Sequence, residues 1–270
     1  MPIDFYYKGL PIENEFFPFT LEQSAEQAKG SMYEAWFDAL KASPWYNEIC
    51  ETRGFPSEAA KECYENFGDL RPMSFKKWWL EIGYKIFAER VRYEEMKDRG
   101  IVNGATKTLK YKKGENDPSK LLIEVPLNLD PKKLKEQFEA ILREHSNYYE
   151  HKNRFKESTA PVPFDRDSKL SYGTIKLWLH IYKEVEKERE LHKDATLADI
   201  CRKLELRKNL FADFGEGTVV DDSQIRQQAA NAVSEYYQKA RRLMAHATEM
   251  RFPCVDDNSA LLEIRPRNRG

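Results

Sequence analysis

The chain has 270 residues, enough for one large or two ordinary domains, and 41% of them are hydrophobic against 33% charged, which is a globular composition. Lys and Arg (44) balance Asp and Glu (45) to a net charge of −1, which excludes a strong overall field toward nucleic acid or an anionic membrane. No apolar run is long enough for a transmembrane helix and the N-terminus lacks a secretory signal, so we expect a cytoplasmic protein without membrane contact.

Residues 1–30 are predicted to form an extended, aromatic-rich and acidic arm that packs on the body of the protein or on a partner. From Ser31 onward, capping residues and apolar positions at helical spacing predict a helical domain over residues 31–145. One of its helices is predicted to be long, beginning after Ser74 and ending at Gly100. We expect this domain to bind a protein partner or to mediate self-association.

The periodicity changes to a strand pattern over about residues 107–126, where the turn residues "GENDPS" separate two short apolar runs. This pattern predicts a small β-hairpin. Its lysines Lys110, Lys112 and Lys113 are candidate phosphate contacts, because each neutralises one phosphate. The alternative is that these lysines only keep an exposed strand edge soluble. A helix capped by Asp130 follows.

Residues 146–170 carry prolines and charges without sustained periodicity, which predicts a linker. Residues 171–252 then predict three helices, the middle one capped by Asp194 or Thr196, and residues 253–270 form a short tail that ends in arginines. The predicted fold class is therefore mainly α. An N-terminal helical unit with a small β-hairpin precedes a three-helix, helix-turn-helix-like domain.

The run "TLADICRKLEL" places an apolar, a small and an apolar residue at Ile200, Cys201 and Leu204, and it resembles the "TLxEIAxxLGL" run of helix-turn-helix DNA-binding domains. With the flanking helices, the resemblance covers about residues 174–250. Glu205 stands where this family has glycine. The residues that follow predict two helical turns at most. Either the recognition helix is very short, or the motif carries an insertion and the next long helix takes over its role. The whole chain is loosely similar to accessory proteins of bacterial mobile elements or phages.

That next helix, predicted from Asp222 to about Met250, has one apolar stripe and an opposite face that is mostly uncharged. The residues that we predict to contact double-stranded DNA on this helix are Arg226, Gln227, Asn231, Ser234, Gln238, Arg241 and Arg242. Asn and Gln pair bidentately with adenine, and Arg pairs with guanine or with phosphate. The alternative is an ordinary solvated or partner-facing surface.

The chain contains no GxSxG, phosphate-loop or HExxH motif, so no catalytic residue and no cofactor are predicted. The four cysteines form no CxxC pair, which predicts free thiols in a reducing compartment and argues against a metal site. Three hypotheses stay open. They are a non-catalytic DNA-binding accessory or regulatory protein, a protein-interaction subunit or inhibitor that binds no nucleic acid, and an enzyme with an unfamiliar active site.

Overall fold

In the computed structural model, 70% of the residues that the structure describes are helical and 1% are in strand, so the prediction of a mainly α protein is confirmed. The described residues are 5, 20–90, 130–144, 158, 160–164, 169–192, 194–207, 210 and 223–264. Within these ranges, no helix combines the length and the apolar character that a membrane span requires.

The prediction of a small β-hairpin is corrected, because the described residues form no sheet. Their β pairing is an isolated antiparallel bridge between Phe5 and Ala88. Residues 107–126, on which the prediction fell, lie outside the described residues. Turn residues between two apolar runs indicate a chain reversal, but they do not supply the further strands or the packing that a two-stranded hairpin needs for stability.

Hydroxyl side chains start the first four described helices. Thr20 and Gln23 form a capping box, and Ser31, Ser43 and Ser57 each accept a hydrogen bond from a backbone N–H of the following first turn. These helices are α1 (Leu21–Ala28), α2 (Met32–Ala42), α3 (Pro44–Thr52) and α4 (Glu58–Phe67). Since α1 lies within residues 1–30, this part of the predicted extended arm is helical.

The long helix predicted after Ser74 contains a π-helical turn and ends at Phe87 in the structure, well before Gly100. It consists of α5 (Phe75–Trp78), a π-helical turn (Trp79–Gly83) and α6 (Tyr84–Phe87). The chain becomes extended at Ala88, and residues 91–100 lie outside the described residues. A π turn adds a residue to the helical repeat. The rings of Trp78 and Trp79 are both fully buried at this turn.

The described elements that follow are α7 (Pro131–Glu144), α8 (Tyr172–Leu191), α9 (Leu197–Lys203), α10 (Ser223–Thr248) and a 3₁₀ turn (Ala260–Leu262). Thr196 and Asp199 form a capping box on α9, so Thr196 is the cap and not Asp194. The carboxylate of Asp130 accepts hydrogen bonds from the backbone at the start of α7, as predicted.

The chain divides into two compact units. One unit joins Met1–Val91 to Thr159–Gly270, and the other is Arg92–Ser158, which contains α7. The first unit is continuous in space because α2 packs against both α8 and α10. Its core takes in Val162, which lies in the predicted linker and whose backbone N–H donates to Ile86 O at 3.0 Å.

The centre of the first unit is an aromatic core, which we define as Tyr33, Trp36, Phe67, Trp78, Trp79, Phe87, Phe164 and Phe252. Trp36 stacks on Phe252 with ring centroids 5.0 Å apart, and Phe87 stacks on Phe164 at 5.5 Å. The indole N–H of Trp36 donates to Ala247 O at 3.3 Å, which joins the aromatic core to α10. Rings from both ends of the chain therefore fill one interior.

A second cluster joins α8, α9 and the N-terminal half of α10. We call it the distal cluster, and it consists of Ile181, Val185, Ala198, Ile200, Cys201, Ala229 and Val233. Its side chains are aliphatic or small. α9 packs chiefly against α10 and also contacts α8, so this three-helix arrangement positions the predicted DNA-contacting face.

Candidate functional site

The uncharged face of α10 lies opposite the residues that anchor the helix. Ala229 and Val233 are buried in the distal cluster, whereas Gln227, Asn231 and Gln238 are exposed. Ser234 is half-buried between them. Helical spacing of three and four residues puts the four polar side chains on one face. The Gln227 amide N–H donates to Asn231 Oδ1 at 2.8 Å, so two of the amides form a pair along the helix.

The arginines of the predicted set have different surroundings. Arg226 is exposed at the N-terminal end of α10. The Arg241 guanidinium lies over the Trp45 ring, 5.7 Å from its centroid, and Arg242 Nε lies 2.6 Å from Asp257 Oδ1. Arg242 is thus already paired within the protein. The structure brings Arg226 and the uncharged residues together and holds the two later arginines in intramolecular contacts.

A shallow cleft runs between the start of α9 and the start of α10. Its volume is about 410 Å³ and it is lined by Thr196, Ala198, Ser223, Arg226, Gln227 and Ala230. Two of the predicted DNA-contacting residues, Arg226 and Gln227, thus line a concave surface. The predicted lysines Lys110, Lys112 and Lys113 lie outside the described residues.

The turn after α9 adopts the backbone conformation that glycine favours in helix-turn-helix domains. Glu205 has a φ of 52°, in the left-handed region. Leu206 N–H donates to Cys201 O at 3.0 Å, and Leu206 packs against the distal cluster. This hydrogen bond closes the helix end despite the missing glycine. Residues 211–222 lie outside the described residues, so the role of α10 as a replacement recognition helix stays a prediction.

A second polar site, not predicted from the sequence, is formed by the last turn of α10 and the residues that follow it. The side chain of His246 is fully buried. Its Nε2 lies 2.8 Å from Asp256 Oδ1 and 3.0 Å from the Asp256 carbonyl oxygen. The Cys254 thiol donates to Asp256 Oδ2 at 3.2 Å. One donor atom from each of these three residues lies within 4.8 Å of the other two.

Sequence reasoning missed this cluster because its residues lack the close spacing of familiar zinc motifs. The sequence feature that could have indicated this cluster is the presence of three potential metal ligands within residues 246–256, at the end of a long helix and just after it. Burial raises the pKa of the Cys254 thiol. Hydrogen bonds lower the pKa of Asp256, first the one from the Asn258 backbone N–H and then the one from the Cys254 thiol. Asp256 is therefore an anion beside a neutral thiol.

The other cysteines are free and buried, namely Cys50, Cys63 and Cys201. Burial raises the pKa of Cys50 to about 11, which disfavours its thiolate. The Arg71 guanidinium next to Asp69 lowers the pKa of that carboxyl to about 2. Arg71 also lies 3.4 Å from Glu51 and donates to Cys50 O, so it ties α3 to the loop after α4.

Comparison of the chain with protein-family models, with curated proteins and with solved structures finds no match.

Proposed function

We propose that the protein is a non-catalytic DNA-binding accessory or regulatory protein whose α10 contacts double-stranded DNA. The observation that supports this most is the exposed, uncharged face formed by Gln227, Asn231, Ser234 and Gln238 on a helix anchored from behind by the distal cluster. Side-chain amides on a rigid helix are suited to bidentate pairing with adenine in the major groove. The left-handed turn at Glu205 supports the helix-turn-helix resemblance on which the proposal draws.

In this proposal, phosphate contacts come first from Arg226, which is exposed beside Gln227 at the cleft. Arg241 and Arg242 contribute only after leaving Trp45 and Asp257. We therefore expect a modest dependence of affinity on salt, because the slope follows the number of phosphates neutralised. Lys110, Lys112 and Lys113 would raise that slope if they also reach the DNA.

A cytoplasmic location and an origin in a bacterial mobile element or phage belong to the same proposal. The free thiols of Cys50, Cys63 and Cys201 fit a reducing compartment. The origin rests on the loose resemblance of the chain to such accessory proteins that its sequence suggests.

The test is fluorescence anisotropy of a labelled duplex pool, measured with the full chain at several salt concentrations. A site that contains adenine is first selected from the pool. Gln227→Ala and Asn231→Ala should each reduce the binding free energy for this site by about 1–3 kcal/mol, since each removes a bidentate contact. Gln228→Ala is the matched control, because Gln228 is exposed on the same helix beside the proposed face and should leave the affinity unchanged.

The alternative is a subunit or inhibitor that binds another protein. The net charge of −1 and the pairing of Arg242 with Asp257 favour it, because both reduce the attraction to phosphate. Absence of binding to any duplex at low salt would reject the DNA proposal and leave this alternative. Equal effects of the Gln227 and Gln228 substitutions would place DNA contact on another surface.

A further inference from the structure

The polar cluster at the end of α10 contains an unsatisfied buried nitrogen. His246 Nδ1 has no hydrogen-bond partner, although the side chain is fully buried. Glu249 Oε2 lies 3.9 Å from it, which is beyond hydrogen-bond distance. Leaving a buried polar group unpaired is unfavourable, and such groups in folded proteins generally have a specific cause.

Neither neutral tautomer of His246 suits this environment. With the proton on Nε2, the ring donates to Asp256, but the bare Nδ1 lone pair faces the Glu249 carboxylate. With the proton on Nδ1, the Nε2 lone pair faces two oxygen acceptors of Asp256, its carbonyl and Oδ1. Either a second proton on the ring or a cation bound at Nε2 removes the conflict. The cation is attracted by the same oxygens and leaves a proton on Nδ1, which lies 3.9 Å from Glu249 Oε2.

We infer that His246, Cys254 and Asp256 bind one zinc ion, through Nε2, Sγ and a carboxylate oxygen. Glu249 is then a positioning residue that accepts the Nδ1 proton, as carboxylates do behind zinc-bound histidines. The fourth position of a tetrahedral ion is left for water or another ligand. The inference is independent of the proposed DNA contact.

The donor set and its dimensions fit zinc. A thiolate, an imidazole and a carboxylate are all established zinc ligands, and the thiolate disfavours magnesium and calcium. Zinc bonds of about 2.0–2.3 Å place two ligand atoms of one ion less than about 4.6 Å apart. The donor atoms of His246, Cys254 and Asp256 already lie within 4.8 Å of one another. A bound ion also deprotonates the coordinating thiol, so the neutral Cys254 of the free protein becomes a ligand.

The positively charged guanidinium of Arg251 contacts two of the residues that would bind the ion. Its guanidinium lies 2.8 Å from Asp256 Oδ2 and 3.5 Å from Cys254 Sγ. The Arg251 side chain is 46% exposed, so it has room to turn toward solvent. Its backbone N–H donates to His246 O at 2.9 Å, and this bond does not depend on the guanidinium. Arg251 and zinc therefore compete for the same two ligands.

Zinc at this position would have a structural effect. The cluster ties the end of α10 to residues 251–256, and Phe252 in this segment stacks on Trp36 in the aromatic core. An ion that binds the folded chain but not the unfolded one raises the unfolding free energy by mass action. The thermal midpoint should rise with zinc concentration.

The experiment uses the full chain, stripped with chelator and reduced, titrated with ZnCl₂ by calorimetry and with CoCl₂ by absorption. One ion should bind per chain, and cobalt should give a thiolate charge-transfer band. Cys254→Ser and His246→Asn should each weaken zinc binding more than about tenfold and abolish that band or alter it. Asp257→Asn and His180→Asn are the matched controls, since both residues are exposed outside the cluster.

Arg251→Gln separates a binding defect from a folding defect. It removes the competing cation at an exposed position, so zinc should bind more tightly than to the unchanged chain, with the helical circular dichroism preserved. Absence of zinc binding by the folded chain, a cobalt complex without a thiolate band, or weaker zinc binding by Arg251→Gln would each overturn the inference.

Discussion

The larger hydrophobic cluster that surrounds the aromatic core takes residues such as Ile175 of α8 and Leu243 of α10, the helices that also supply the distal cluster, but the two regions are built differently. The aromatic core brings together rings from opposite ends of the chain, such as Trp36 and Phe252, and the indole N–H of Trp36 donates to the distant backbone oxygen of Ala247. The distal cluster uses smaller side chains such as Val185, Ile200 and Ala229 from three consecutive helices. α8 and α10 are therefore held on one side by large rings from residues far apart in the sequence. On the other side they are held by smaller side chains from neighbouring helices.

This difference indicates how stability is distributed. Burial of large rings removes more apolar area from water than burial of alanine and valine, so the aromatic core should contribute most of the unfolding free energy of its unit. Regions with fewer buried contacts open at lower cost, and surfaces that bind partners are often found there. The exposed amide face lies at the distal end of α10, where small adjustments on binding are least costly.

The strongest test of the comparison is Trp36→Ala. Trp36 is fully buried and stacked on Phe252, so its removal should lower the unfolding free energy by about 3–5 kcal/mol. Urea unfolding followed by circular dichroism measures this loss. Phe55→Ala is the control, since Phe55 is 38% exposed and should cost within about 0.5 kcal/mol. Similar losses for both variants would show that the aromatic core is not the dominant source of stability.

Gly83→Ala tests how tightly the π turn packs against the tryptophans. A Cβ at this position would lie 2.8 Å from a Trp78 ring atom and 2.9 Å from one of Trp79. Overpacking of this kind costs about 1–3 kcal/mol, against a gain of up to about 1 kcal/mol in helix propensity. Gly173→Ala has nothing within 4 Å of the new Cβ and should be neutral or stabilising. Comparing the thermal unfolding of Gly83→Ala and Gly173→Ala separates the cost of overpacking from the gain in helix propensity. A stabilised Gly83→Ala variant would contradict the tight packing of the π turn against the two tryptophans.

Thr196→Ala acts on the distal end alone. It removes the capping box with Asp199, which should cost about 1 kcal/mol and should reduce hydrogen-exchange protection in α9 before the aromatic core is affected. Asp194→Ala is the control, because the structure places the cap at Thr196. Equal loss of protection in α2 and α9 would mean that the two clusters open as one unit, and the comparison between them would fail.

Capping residues and helical periodicity made much of the secondary structure predictable. Ser31, Asp130 and Thr196 start helices as expected, because the interactions that define a helix end involve residues three or four apart. The π turn after Trp78 was not predictable in this way. The apolar periodicity continues through residues 79–87, and both tryptophan rings are buried at the π turn, which is a matter of tertiary packing.

The predicted linker shows the same limit. Residues 160–164 have no helical or strand periodicity, but Val162 is buried and Phe164 packs against Trp36 with ring centroids 5.6 Å apart. Irregular segments enter a core when a distant element offers a backbone partner, here Ile86 O. Local sequence carries little information about such partners.

The two candidate sites differ in the same respect. The amide face of α10 was predictable because Gln227, Asn231 and Gln238 follow helical spacing on one element. The cluster of His246, Cys254 and Asp256 depends on a chain reversal after α10 that returns the carboxylate to the buried imidazole. Its ligand spacing matches no familiar motif, so only the folded chain reveals it.

The sequence by itself determined a mainly α protein, the starts of most of its described helices and the polar face of α10, because caps and amphipathic periodicity act over a few residues. The tertiary structure decided the rest. It placed both ends of the chain in one aromatic core, directed Arg242 to Asp257, and buried His246 beside Cys254 and Asp256. These outcomes depend on contacts between residues that are distant in the chain or joined by irregular segments, for which periodicity gives no register.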